Sequence, residues 1–190
     1  NASPIRLPNG ITHFIAAQAP LPQTLDEFWE MIDEYRVKLI VMLCKTVEMS
    51  KVKCEQYWPE TLNASVIYGE YEIVLRKEER FQDDHYVLRT LEMKKEDERE
   101  GRIVHQLHYR EWPDHGCPTG NEQLLNMIDK MAALAGEERG ESRPPVLVHC
   151  SAGVGRTGTI IAVNYVRELM EQGVSTRLSL LDLVHLLRTQ

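Results

Sequence analysis

From Pro144 to Gly173 the sequence reads as a strand, a glycine-rich turn and a helix in direct succession, an order that few folds accommodate. Pro144 and Pro145 lead into PVLVH, an apolar run of strand length with no alternation, so this strand is covered on both faces. The turn that follows, VHCSAGVGRTG (Val148 to Gly158), is too glycine-rich to continue a strand. Helical spacing resumes from about Arg156 to Gln172, with Ile160, Ile161, Tyr165, Val166 and Leu169 inward and Gly173 as the C-terminal stop. A buried strand feeding a helix requires a sheet with helices laid over it.

The rest of the chain fits that demand. Leu39 to Leu43 (LIVML) is a second continuous apolar run and a second strand covered on both faces. Thr12 to Ala19 reads as a short strand broken by Pro20 and Pro22. Thr24 with Glu27 predicts a capping box for a helix with Leu25, Phe28, Trp29 and Ile32 on one face. Tyr71 to Arg76, Tyr86 to Met93 and Ile103 to Tyr109 are further strands, and the charged stretch KKEDEREG joins the last two as a hairpin loop. A helix over about Asn121 to Ala135 carries Leu124, Leu125, Ile128 and Met131 and stops at Gly136 and Gly140. Ser179 with Asp182 caps a last helix. The expected fold is a single α/β or α+β domain over residues 1–190, with a twisted mixed sheet flanked by helices.

Composition removes several function classes. With 22 Lys and Arg against 29 Asp and Glu, the net charge of −7 argues against nucleic acid as a partner. No apolar run approaches a membrane span and no signal peptide opens the chain. Cysteines 44, 54, 117 and 150 form no Cys-x-x-Cys pair, which favours a reduced, cytoplasmic setting. The first residue is Asn1, so the chain is expected to be processed or part of something longer.

The chemistry concentrates in the loop after the buried strand. Ser151, Ala152, Gly153, Val154 and Gly155 separate Cys150 from Arg156. Their backbone N–H groups can converge as an anion nest at the positive end of the helix dipole, and Arg156 adds a two-pronged clamp for a tetrahedral oxyanion. The same donors favour a thiolate at Cys150, an in-line nucleophile on a bound phosphate that would form a phosphocysteine. Thr157 places a hydroxyl near the sulfur to help release it, and His149 is expected to orient the loop rather than shuttle protons. WPDHGCP (Trp112 to Pro118) supplies a carboxylate, Asp114, on a loop hinged by proline and glycine, suited to a general acid that later acts as base. Cys117 reads as a packed or half-exposed thiol. His105 and His108 fall on opposite faces of one strand, so with His115 they make no metal site, and the mechanism needs no metal or cofactor.

HCSAGVGRTG and WPDHGCP, together with FIAAQAPLPQT (Phe14 to Thr24) and IVMLCKTVEMSKVKCEQYWP (Ile40 to Pro59), resemble the signature loop, acid loop, entry segment and E-loop of the classical, tyrosine-specific protein phosphatases. Their order and spacing agree along essentially the whole chain. The resemblance implies that Glu48 orients Arg156 and that Lys53 reaches toward the acid loop and substrate. It implies hydrolysis of phosphotyrosine in proteins, in the cytoplasm or on the cytosolic face of a membrane receptor. The family domain also begins earlier, with a tyrosine that walls the pocket, and ends later, with glutamines that position water. The chain is therefore expected to be a partial domain lacking both segments. A catalytically silent phosphotyrosine-binding domain is the alternative, although Asp114, Cys150 and Arg156 are all present.

Overall fold

The computed structural model describes residues 1–6, 12–113, 116–118, 121–136, 143–171, 173 and 179–190, with only the backbone of Thr12. In chain order the elements are β1 (Ala2–Arg6), β2 (Thr12–Ala17), a 3-10 turn (Pro22–Thr24), α1 (Leu25–Glu34) and β3 (Leu39–Met42). A small ribbon follows, β4 (Val47–Glu48) with β5 (Lys51–Val52). Then come β6 (Ser65–Tyr68), β7 (Tyr71–Phe81), β8 (Tyr86–Lys95), β9 (Arg102–Tyr109), α2 (Asn121–Ala135), β10 (Val146–His149), α3 (Gly155–Glu171) and α4 (Leu180–Arg188).

Eight strands form one mixed sheet in the order β1-β2-β10-β3-β9-β8-β7-β6. The two uninterrupted apolar runs lie side by side at its centre: β10 pairs in parallel with β3, and each has a further parallel neighbour, β2 and β9. The remaining pairings are antiparallel. Because side chains alternate across a strand, each run feeds two cores. Ile40, Met42 and Leu147 pack with Phe28, Trp29 and Ile32 of α1. Leu39, Val41, Val146 and Val148 pack with Met127, Ile128 and Met131 of α2 and with Ile160 and Ile161 of α3. Each such buried side chain contributes roughly 1.5–3 kcal/mol relative to exposure.

The expected fold class and the helix over Asn121–Ala135 are found as read. Several local expectations are corrected. The Thr24 hydroxyl accepts from the Leu21 N–H at 2.9 Å instead of capping α1, so the Thr24–Glu27 capping box does not form. Leu125 and Val166 are exposed, because the buried arc of α2 centres on Met127, Ile128 and Met131 and that of α3 on Thr157, Ile161 and Asn164, which turns those two positions toward solvent. The strand from Tyr71 runs on to Phe81 through a bulge at Leu75/Lys77; its charged half is held by cross-strand partners such as Glu78 with Arg89 at 2.8 Å. Strand β2 stops at Ala17 rather than Ala19. Ser179 and Asp182 do form a reciprocal capping box, with Asp182 N–H donating to the Ser179 hydroxyl at 3.2 Å and Ser179 N–H to the carboxylate at 3.0 Å. Gly140 and Gln172 lie outside the described residues.

Candidate active site

The strand-to-helix turn after β10 sits at the carboxyl ends of the parallel strands, the usual position of a site in such sheets. Two backbone bonds moor it: Leu43 N–H to His149 C=O at 2.9 Å and Ala19 N–H to Ser151 C=O at 3.0 Å. The mooring explains Gly153, which has φ of 74° and lies so close to β2 that a Cβ would stand 2.4 Å from the Ala17 carbonyl oxygen. No other residue type fits there.

Cys150 is 5% exposed at the floor of this turn. Burial pushes its thiol up. Against that act the Thr157 hydroxyl and the backbone N–H groups of Thr157, Gly153 and Val154, and the outcome lies below the ordinary thiol value. Those donors stabilise a thiolate by direct hydrogen bonding at a helix N-terminus. Among the described residues the buried Thr157 hydroxyl meets no acceptor at hydrogen-bond geometry, which leaves it available to the sulfur.

Arg156, in the first turn of α3, reaches back over the end of β3. Its two terminal nitrogens donate to the two carboxylate oxygens of Glu48, both at 2.7 Å, and one also donates to the Leu43 carbonyl at 3.0 Å. Both side chains are nearly enclosed, so the fork is fixed in direction. Glu48 is itself held by the Lys45 N–H at 3.0 Å. The β4–β5 ribbon carries Glu48, and its Met49–Ser50 turn has both residues at positive φ, 49° and 61°. Lys53 is half-buried just past the ribbon, its N–H donating to the Thr46 carbonyl at 2.8 Å.

Behind the loop, His149 is wholly buried between Tyr57 and its own chain. Nδ1 lies 3.1 Å from the Cys150 carbonyl, so it carries the proton, and Nε2 accepts from the Tyr57 hydroxyl at 2.8 Å. Burial takes the ring down to about 4 even though the Cys150 carbonyl favours the protonated form, so it is neutral at physiological pH. His108 is pushed down to about 3 by burial and by the charge of Arg89. It accepts from Arg89 at 3.2 Å and donates to the Cys44 carbonyl at 2.8 Å, beside the Leu43 carbonyl that Arg156 uses.

Trp112 is buried and its indole N–H bonds to the Gly116 carbonyl at 3.0 Å, closing the loop that contains Asp114. Asp114 and His115 lie outside the described residues. Cys117 is exposed, more so than expected, while Cys44 and Cys54 are buried. Cys150, Arg156, Thr157, His149 and Glu48 are thus brought together. Sequence reasoning passed over Tyr57 and the Leu43 carbonyl. Tyr57 lies in a coil segment with no periodicity to mark it, and a carbonyl has no sequence signature at all.

A family model described as protein-tyrosine phosphatase matches residues 1–190. Tyrosine-protein phosphatase non-receptor type 18 of Mus musculus is 42% identical over 194 residues, covering 100% of this chain and 40% of that protein. Non-receptor type 12 of Homo sapiens is 37% identical over 191 residues, covering 100% of this chain and 24% of the relative. The crystal structure of the catalytic domain of human non-receptor type 18 superposes with a TM-score of 0.91 at 37% identity, over 100% of this chain and 65% of that one. The same phosphatase in complex with HER2 phosphopeptides gives 0.90 over 63% of its chain. The chain therefore spans less than half the length of these curated relatives.

Proposed function

This chain belongs to the protein-tyrosine phosphatase family, and we propose that it hydrolyses phosphotyrosine in proteins through a phosphocysteine intermediate. The observation that carries the reading is the enclosed Cys150 sulfur in the turn that opens α3, where Thr157 and three backbone N–H groups favour its thiolate and Glu48 fixes the Arg156 guanidinium of the same turn. That arrangement binds a phosphate dianion with the nucleophile in line. The sulfur attacks phosphorus, the P–O bond to the tyrosine breaks, and Asp114 gives its proton to the departing phenolate oxygen. Asp114 then takes a proton from the water that displaces the sulfur. Glu48 positions Arg156; Thr157 stabilises the sulfur as it leaves; His149 orients the loop through the Cys150 carbonyl. Residues 151–155 form the anion nest and Lys53 serves the substrate side. The related type 18 phosphatase is described with phosphopeptides, which supports peptide phosphotyrosine as the substrate. Four free cysteines suit a reducing, cytosolic compartment, and no described helix is long and apolar enough to cross a membrane.

Rapid-quench kinetics on a phosphotyrosine peptide provide the test. Wild type forms a phosphoenzyme that rapid denaturation traps. Cys150→Ser forms none yet still binds the peptide, and Asp114→Ala loses at least about 100-fold in kcat while still binding substrate. Near-normal kcat in either variant removes that residue from the mechanism.

A further inference from the structure

Around Glu48, the partner of Arg156, lies a concavity of about 610 Å³, lined by Lys45, Val47, Glu48, Met49, Arg110, Glu111, Trp112 and Pro113. It shares Glu48 with the anion site, and its far wall is the Trp112–Pro113 segment that leads to Asp114. Its four charged side chains do not cancel. Glu48 is spent on Arg156. Glu111 is neutralised by Lys45 at 3.1 Å. Arg110 is half-buried, and among the described residues its guanidinium forms no hydrogen bond or ion pair. The rest of the lining is apolar: Val47 and Met49, both exposed, with Trp112 and Pro113. A cation left over in a cavity with apolar walls is complementary to a carboxylate on an aliphatic stem.

We propose that this cavity is a substrate subsite in which Arg110 receives the side-chain carboxylate of an acidic residue flanking the phosphotyrosine. The proposal rests on the phosphatase reading and deepens it: that site takes the phosphate, and this one selects the sequence around it. Arg110 is thereby a specificity-determining residue and Lys45 a positioning one, since it keeps Glu111 from pairing with Arg110 in the ligand's place.

The test uses matched phosphotyrosine peptides with Glu, Gln or Lys at each flanking position in turn, with p-nitrophenyl phosphate as a substrate too small to reach the cavity. At low salt, wild type is expected to prefer Glu over Gln at one position by about three- to tenfold in kcat/KM, the range of a partly exposed charge-assisted contact. Arg110→Gln removes that preference and leaves p-nitrophenyl phosphate turnover within about twofold. Arg110→Glu reverses the preference toward Lys, which a merely structural role for Arg110 does not produce. An equal Glu-to-Gln ratio in wild type and Arg110→Gln, or equal loss on every substrate including p-nitrophenyl phosphate, overturns the subsite. Peptide binding to Cys150→Ser with and without Arg110→Gln separates the two readings. Arg110-dependent binding of the Glu peptide without hydrolysis by the parent chain keeps the subsite and sinks the phosphatase reading, whereas binding insensitive to residue 110 sinks the subsite.

Discussion

At residue scale the decisive quantity is the balance at the Cys150 sulfur. Burial alone would keep it a thiol; at Cys54 the neighbouring Cys44 and then burial push the thiol far up, with nothing acting against them. What differs is the supply of donors, and the largest single one is the Thr157 hydroxyl. Thr157→Val keeps the shape and removes that donor. The pH at which Cys150 is half-alkylated by iodoacetate should then move upward toward the ordinary thiol range near 8.5. The sign is fixed: losing a hydrogen bond to the charged form favours the neutral one. An unchanged alkylation profile would mean that the backbone N–H groups suffice. The spacing from Cys150 to Arg156 and the glycines between them made the loop legible from the sequence. The histidines were legible only in part. That His149 and His108 are neutral follows from burial by aromatic and apolar side chains brought from distant segments, which no local pattern records.

At the scale of elements, legibility followed the strength of the local signal. The central strands β3 and β10 and the helix α2 were plain because continuous apolar runs and a clean helical period leave little choice. The β4–β5 ribbon that carries Glu48 showed no such signal. Two-residue hairpins of its kind favour Asn-Gly or Asp-Gly, since both turn positions need positive φ. Here Met49 and Ser50 occupy them, so nothing announces a turn. Strands β1 and β6 were missed for a related reason: they are edge strands with mostly exposed side chains and take their conformation from the neighbour. The ribbon also stores strain, as two non-glycine residues in the left-handed region cost on the order of 1 kcal/mol each. Ser50→Gly should relieve part of it and raise stability by roughly 0.5–1 kcal/mol, about 1–4 °C in Tm for a domain of this size. A calorimetric melt checks this, and a lowered Tm would show that Ser50 contributes something its backbone geometry does not reveal.

Across the whole molecule, the site and the core share buried groups, so acid should act on both together. His149 joins Tyr57 and the Cys150 loop, and also packs edge-on against Phe28 of α1. His108 joins Arg89, stacked on Trp58, to the end of β3. In the unfolded chain both rings titrate near 6.5; in the fold they lie at about 4 and about 3. The unfolded state therefore binds more protons throughout the interval between those values, and stability must rise with pH across it. The contribution is fully present above about pH 6.5 and is lost progressively as pH falls through the folded values. Arg89 keeps its charge over the whole range, so protonating His108 also sets two cations 3.2 Å apart within the core. Tm should accordingly fall steeply between about pH 6.5 and pH 4, and loss of Cys150 alkylation by iodoacetate should accompany loss of folded structure, since His149 is bonded to the loop that organises the sulfur. Thermal melts across this range provide the measurement. His108→Gln, which retains both a donor and an acceptor, should flatten the slope while lowering stability at neutral pH. An identical slope in wild type and His108→Gln would assign the acid sensitivity to other groups, the carboxylates of the Glu78–Arg89 and Glu48–Arg156 pairs being the next to test by Glu→Gln exchange.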